Sequence, residues 1–343
     1  MGDRPGSLRT AGDERSDRPV RIAVDAMGGD SAPAVEIEGA LAALREAERP
    51  LEVVLVGRRD EIEEAHRLSG LDGPLPEIVQ ADDVIGMHES PATAVRKKRR
   101  SSIVVATELQ KSGEIDGLVS AGNTGAVVAS SLLGLGMLPN VRRPGIASLF
   151  PTTGDPSVVV DVGASIDSKP HDLLAFGMMG AAYAHFVLGR ALPRVGLMNI
   201  GEEETKGGER EQAAHALLAA STLNFVGNVE GGGLLKGEAD VVVTDGFVGN
   251  VMLKLTEGVI HVVLRLLSEA HDGEGLRRKL RELDYAEYGG APLLGVDGVV
   301  IIAHGGSSAK AIKNAIRVAS RFVETDLCGK IVTRLKEVVE SDA

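Results

Sequence analysis

Short runs rich in β-branched residues alternate with longer amphipathic ones along most of this chain. The first run is Val20-Arg-Ile-Ala-Val-Asp25, followed by a helical pattern from about Pro33 to Glu48. Further runs at 51–56, 77–80, 115–120, 146–150, 158–162, 194–200, 224–226, 240–244 and 299–303 predict strands. Most are continuously apolar rather than alternating, which is the pattern of strands covered on both faces. The expected fold class is therefore α/β, with a mostly parallel sheet between two helical layers.

The segment 1–19 is polar and rich in Arg, Asp, Gly and Ser, and reads as a disordered extension. It lacks the apolar core of a secretory signal. No stretch approaches the roughly 20 apolar residues of a membrane span, so any membrane contact is expected to be peripheral. Residues 20–343 read as a single α/β domain.

Composition narrows the function. The 343 residues carry 37 Lys and Arg against 49 Asp and Glu, a formal charge of −12 that argues against nucleic-acid binding. The single cysteine, Cys328, permits no internal disulfide and fits a reducing, cytoplasmic compartment.

Several predicted strands end in glycine-bearing polar turns, including Asp25-Ala-Met-Gly28-Gly29-Asp30, Ser120-Ala-Gly122-Asn123-Thr124-Gly125, Asp161-Val-Gly-Ala164 and Asn199-Ile-Gly-Glu202. Asp245-Gly246-Phe-Val-Gly-Asn250 and His304-Gly-Gly-Ser-Ser308 complete the set. Strand carboxyl ends are where open α/β sheets bind ligands, and glycine turns admit an anion to backbone N–H groups. A phosphate-type ligand is the expectation. The P-loop, the G-x-G-x-x-G fingerprint, the nucleophile elbow and the H-E-x-x-H zinc helix are all missing. Strand-end aspartates commonly cap turns, so neither a metal nor a cofactor is expected.

Four of these segments, together with Tyr288-Gly-Gly290, resemble the signature blocks of the bacterial phosphate acyltransferases of phospholipid synthesis, and the five occur in family order: 25–30, 120–126, Asn199-Ile-Gly-Glu-Glu-Glu-Thr-Lys-Gly207, 244–251 and 288–290. The resemblance implies a three-layer α/β/α sandwich like isocitrate and isopropylmalate dehydrogenases, assembled as a homodimer. It also implies transfer of a fatty acyl group from acyl carrier protein to inorganic phosphate. The acyl phosphate formed would serve a membrane glycerol-3-phosphate acyltransferase. A phosphotransacetylase-like enzyme using coenzyme A thioesters is the alternative.

In that frame Asn123, Lys206 and His304 are the candidate catalytic residues. Asp25, Gly28, Gly29, Asp30, Gly122, Thr124, Asp161, Asp245, Gly246 and Asn250 are the candidate phosphate or substrate ligands. Arg96, Lys97 and Lys98, in the densest basic run, are the candidate docking site for an acidic carrier protein. Two departures from the family pattern stand out. Gly163-Ala-Ser-Ile-Asp167 replaces an expected Asn with Ser165, and the helical hairpin that the resemblance implies in the catalytic domain at about 250–285, for dimer or membrane contact, is shorter here between Glu257 and Tyr288, which puts membrane attachment in doubt. The apolar positions Val259, Val263, Leu266 and Leu267 point to a dimer contact rather than lipid.

Overall fold

A computed structural model describes residues 18–269 and 289–341. The first half runs β1 (Val20–Asp25), α1 (Ala34–Arg45), β2 (Leu51–Gly57), α2 (Arg59–Ser69), β3 (Glu77–Gln80), α3 (Pro91–Lys97), α4 (Ser102–Ser112), β4 (Gly117–Ser120) and α5 (Thr124–Gly134). It continues through β5 (Gly145–Phe150), β6 (Ser157–Val160), α6 (Pro170–Phe186), β7 (Arg194–Met198), α7 (Glu209–Ala220), β8 (Asn224–Val229), α8 (Gly231–Lys236), β9 (Val241–Val243) and α9 (Gly246–Glu269). After the gap come β10 (Ala291–Leu294), β11 (Val299–Ile302), α10 (Ala309–Glu324) and α11 (Leu327–Ser341).

The eleven strands form one sheet in the order β3-β2-β1-β4-β11-β10-β5-β6-β9-β7-β8. Alternate residues of β1 and β2 enter two cores, as their continuous apolar runs require. Ile22, Val24 and Leu55 pack with α1, α6 and α10, whereas Ala23, Val54 and Val56 pack with α4 and α5. The layers are helix, sheet, helix. Helix α10 shows how sequence builds one layer: the Ser308 hydroxyl caps Ala311 N–H, and Ile312, Ala315, Ile316 and Ala319 recur on the buried face.

Sheet direction matters more for function than strand count. β3, β2, β1, β4 and β11 are mutually parallel, and β6, β9, β7 and β8 are mutually parallel. Between them β10 runs antiparallel to both β11 and β5, and β5 runs antiparallel to β6. The two parallel sets therefore point in opposite directions. Carboxyl ends of β1, β4 and β11 open on one edge of the sheet, and those of β6, β9 and β7 on the other. β10 was not among the expected strands, because Pro292 and the preceding Gly289-Gly290 mask a four-residue run.

Helix α9 is continuous through residue 269, and the rest of the expected hairpin, from 270 to about 285, lies outside the described residues, as do Tyr288 and the segment before residue 18. The exposed apolar stripe on α9 comprises Phe247, Val251, Leu255, Val259, Val262 and Leu266, each more than half exposed. It passes through Val262 rather than the expected Val263, which is half-buried; the Leu267 side chain is outside the described set. No described helix is long and apolar enough to cross a membrane.

Phe176 is fully buried on α6, its ring next to Gly145 and the Val160 strand. Phe176→Ala leaves a cavity there, and is expected to cost about 3–5 kcal/mol, read as a lower urea midpoint with unchanged slope.

Candidate active site

The reversal of strand direction divides the predicted site residues into two groups. On the β1–β4–β11 edge lie Asp25, Gly28, Gly29, Asp30, Gly122, Asn123, Thr124 and His304. On the β6–β9–β7 edge lie Asp161, Lys206, Asp245, Gly246 and Asn250. One chain does not bring them together, contrary to the expectation of a single strand-end cluster.

On the first edge Asp25 is fully buried and accepts bonds from Ser120 Oγ (2.7 Å) and Met27 N–H (3.1 Å). A Cβ at Gly28 would lie 2.6 Å from Gly122 N, so only glycine lets the two turns touch. Glu36 reaches beneath Gly29, buried, with Oε2 unpartnered; burial pushes its carboxyl up to about 7, and Asp25 adds repulsion. Burial likewise raises Asp25. Asp25 and Glu36 are buried beneath the turn, which leaves the backbone of 28–30 as the face toward any ligand there.

Asn123 is also committed. Its Oδ1 caps Ala126 N–H at 3.0 Å, and its Nδ2 donates to the carbonyls of Gly86 and Met87, both at 3.1 Å. The amide thus caps α5 and clamps the 86–89 loop, leaving no free hydrogen for phosphate. His304 Nδ1 accepts Gly306 N–H at 3.1 Å, a turn bond. Of the basic run, Arg96 and Lys97 are exposed, but Lys98 is withdrawn. It bonds Val84 O and pairs with Glu89 at 2.6 Å, which removes it from the docking set.

The second edge holds a cavity of about 460 Å³. Leu173, Leu197, Met198, Val248 and Met252 give it an apolar floor, and Ile200, 83% exposed, stands at its rim. Three helix starts line it, through Gly207 and Gly208 of α7, Gly231 of α8 and Asp245 of α9. Their dipoles point positive ends toward the rim, although the first N–H groups of α9 are already taken by Ser165 O and Asp245, and that of Gly208 by Glu211. Asp245 Oδ1 accepts from Phe247 and Val248 N–H, and its Oδ2 accepts from Arg210 Nη2 at 3.0 Å. That bond and a second to Glu211 fix the guanidinium on the lining.

Asn199 closes the adjoining loop, accepting Ile200 N–H and donating to Lys206 O at 3.1 Å. Lys206, next to the cavity-lining Gly207, is half-exposed with Nζ 3.7 Å from Glu203. Asp161 has a structural task. Its carboxylate accepts backbone N–H from Ile146, Gly163, Ala164 and Ser165, while burial raises it overall. Ser165 spends its hydroxyl on Pro144 O. Gly246 fits against this loop only because a Cβ would lie 2.2 Å from Ser165 O, and Asn250 packs on Gly163.

Arg210 escaped the sequence reading. Its signal is position: a cation in the first turn of a helix opposes the dipole and needs an anion nearby to be stable. Burial pushes the Cys328 thiol up to about 12, which makes it a poor nucleophile.

The model of a family described as "Fatty acid synthesis protein" matches residues 20–330. The phosphate acyltransferase of Heliobacterium modesticaldum is 48% identical, covering 94% of this chain and 99% of the relative. That of Desulfitobacterium hafniense is 49% identical, covering 92% and 98%. Among solved structures, the EutD phosphotransacetylase from Staphylococcus aureus has a TM-score of 0.61 at 16% identity, covering 89% of this chain and 94% of that one. A phosphotransacetylase from Streptococcus pyogenes has the same TM-score and coverage at 19% identity, so the mixed α/β fold is shared with these enzymes.

Glu36 gives the first edge a pH signature. Between its ordinary 4.5 and the folded value of about 7, the native state holds a proton that the unfolded chain releases. Stability therefore falls as pH rises through that window, by roughly 3 kcal/mol in all. Glu36→Gln is expected to shrink the difference in melting temperature between pH 5 and pH 8; an undiminished difference means Glu36 is not the source.

Proposed function

The chain belongs to the fatty acid synthesis protein family of the phosphate acyltransferases, and we propose from that premise that it transfers a fatty acyl group to inorganic phosphate at the cavity between α7 and α9. The observation that carries the assignment is the pairing there of an apolar floor with a rim of three helix starts and Arg210. An acyl thioester needs the floor and a phosphate nucleophile needs the rim.

The step requires no protein nucleophile. A phosphate oxygen attacks the thioester carbonyl, the C–O bond forms, and a tetrahedral oxyanion develops. Collapse breaks the C–S bond, and sulfur leaves with the electron pair as thiolate. Arg210, held by Asp245 and Glu211, and Lys206 direct their N–H donors at the phosphate and oxyanion, and the α7 dipole adds to them. Asp245 holds Arg210 in place, Gly246 lets α9 begin close to the site, and Asn250 borders it. His304 has no proton to move in this reading, because phosphate arrives already ionised. Asn123 acts by clamping the 86–89 loop.

The donor is acyl carrier protein, and the acyl phosphate passes to a membrane glycerol-3-phosphate acyltransferase for phosphatidic acid synthesis. The enzyme works in the cytoplasm. Its fold is classed with the isocitrate and isopropylmalate dehydrogenases. A second copy covers the α9 stripe: six apolar side chains spaced three or four residues apart run along one face of a single helix, and the stripe starts at Phe247, beside the cavity's Asp245. Pairing there places another protomer's surface at the cavity mouth, which favours a homodimer over lipid as the covering partner.

Three experiments test this reading. With palmitoyl-acyl carrier protein and phosphate, hydroxylamine trapping is expected to detect phosphate-dependent acyl phosphate, with palmitoyl-coenzyme A as the competing donor. Arg210→Ala is expected to lower kcat/KM for phosphate about 100-fold with little change in melting temperature, whereas Asn123→Ala lowers melting first. Equal activity of wild type and Arg210→Ala moves the chemistry elsewhere. Leu255→Glu with Val259→Glu is expected to turn a dimer into a monomer by light scattering.

A further inference from the structure

A second cavity, of about 560 Å³, opens at the opposite end of α6. Leu173 in the first turn of that helix lines the catalytic cavity, whereas Met178, Ala181 and Phe186 further along line this one. Pro193 and Asn224, at the amino ends of β7 and β8, place it on the sheet edge away from the catalytic cavity.

Its cations distinguish it. Lys330 and Arg334, one turn apart on α11, lie over the Phe186 ring at 4.3 and 5.3 Å from its centroid. Neither forms an ion pair with a described carboxylate. The neighbouring Arg190 and Arg194 differ, both being paired with the Asp240 carboxylate. In a chain of net charge −12, two cations with no described carboxylate partner on one cavity wall create a local positive field. Thr333 and Asn224 add polar groups beside them, while seven of the twelve lining residues are apolar, including Leu192 at 73% exposure. A bare inorganic anion satisfies the cations and leaves the apolar wall wet. A neutral lipid covers that wall and leaves the cations unmatched.

We propose that this cavity is a second binding site, for an amphiphile with an oxyanion headgroup on an aliphatic tail. Lys330 and Arg334 take the headgroup, and Leu192, Pro193, Leu223 and Met178 take the tail. A fatty carboxylate and an alkyl or acyl phosphate share this chemistry. The site does not depend on the phosphate acyltransferase reading, since none of its residues belongs to the catalytic cavity.

Isothermal titration of the full-length protein with decanoate and with decyl phosphate, below micelle formation, separates the two headgroups. Inorganic phosphate and decanol serve as headgroup-only and tail-only probes. Saturable binding of either amphiphile is expected, weakened about 10-fold or more by Lys330→Gln with Arg334→Gln. Ala191→Trp, which fills the cavity mouth and leaves both charges, is expected to block binding as well. In both variants acyl phosphate formation and melting temperature stay at wild-type levels. Amphiphile affinity unchanged in both variants overturns the proposal, and so does inorganic phosphate or decanol binding as tightly as the amphiphiles.

Discussion

The placement of β10 is the constraint on which the functional geometry depends. Four residues, Ala291 to Leu294, pair antiparallel with β11 on one side and β5 on the other. That pairing, followed by the antiparallel step from β5 to β6, joins two parallel sets pointing in opposite directions. A parallel sheet gathers its ligand turns on one edge, because every strand ends there. A sheet reversed at its middle has two such edges, and chemistry written into glycine turns is divided between them. The acidic first edge and the apolar, dipole-lined second edge follow from this.

Much of the fold was legible because burial on both faces leaves a mark in local composition. Val53 to Val56 and Val241 to Val243 are continuous apolar runs, and each is a central strand. β10 escaped because its proline and flanking glycines look like a turn, and only pairing with β11 and β5 makes the segment extended. Strand order and direction are nonlocal properties, so the segregation of Asn123 from Lys206 had no local signal. The family blocks in the sequence marked residues that are close to ligand turns, yet order along the chain says nothing about which edge each turn occupies.

The candidate site shows the same limit at the level of side chains. Asn123 and Asp161 looked like ligand groups because each sits in a glycine turn at a strand carboxyl end, where ligands bind. Both are consumed by the backbone: one caps α5 and clamps a loop, and the other accepts four N–H groups. Short polar side chains at strand ends compete for their own turn's donors before any ligand arrives. Arg210 reverses the case. Its position at a helix start is electrostatically unfavourable alone, and becomes stable only with Asp245 and Glu211 alongside. A residue placed against its local preference is a better mark of function than one that fits it.

The glycines at the second edge connect packing to chemistry. A methyl group at Gly246 or Gly249 would collide with the 161–165 loop, at 2.2 Å from Ser165 O and 1.9 Å from Asp161 O. The loop cannot retreat, because the Asp161 carboxylate is tied to four of its own and its neighbour's N–H groups. α9 can therefore begin at Asp245 only with glycine at both positions. That start sets the Asp245 carboxylate where Arg210 meets it, and projects Val248 and Met252 into the cavity floor. The charge at the rim and the apolar surface below it are thus fixed by one helix origin. A catalyst that relies on preorganised dipoles instead of a nucleophile needs that rigidity, since every ångström of slack at the helix start would be paid in weaker stabilisation of the oxyanion.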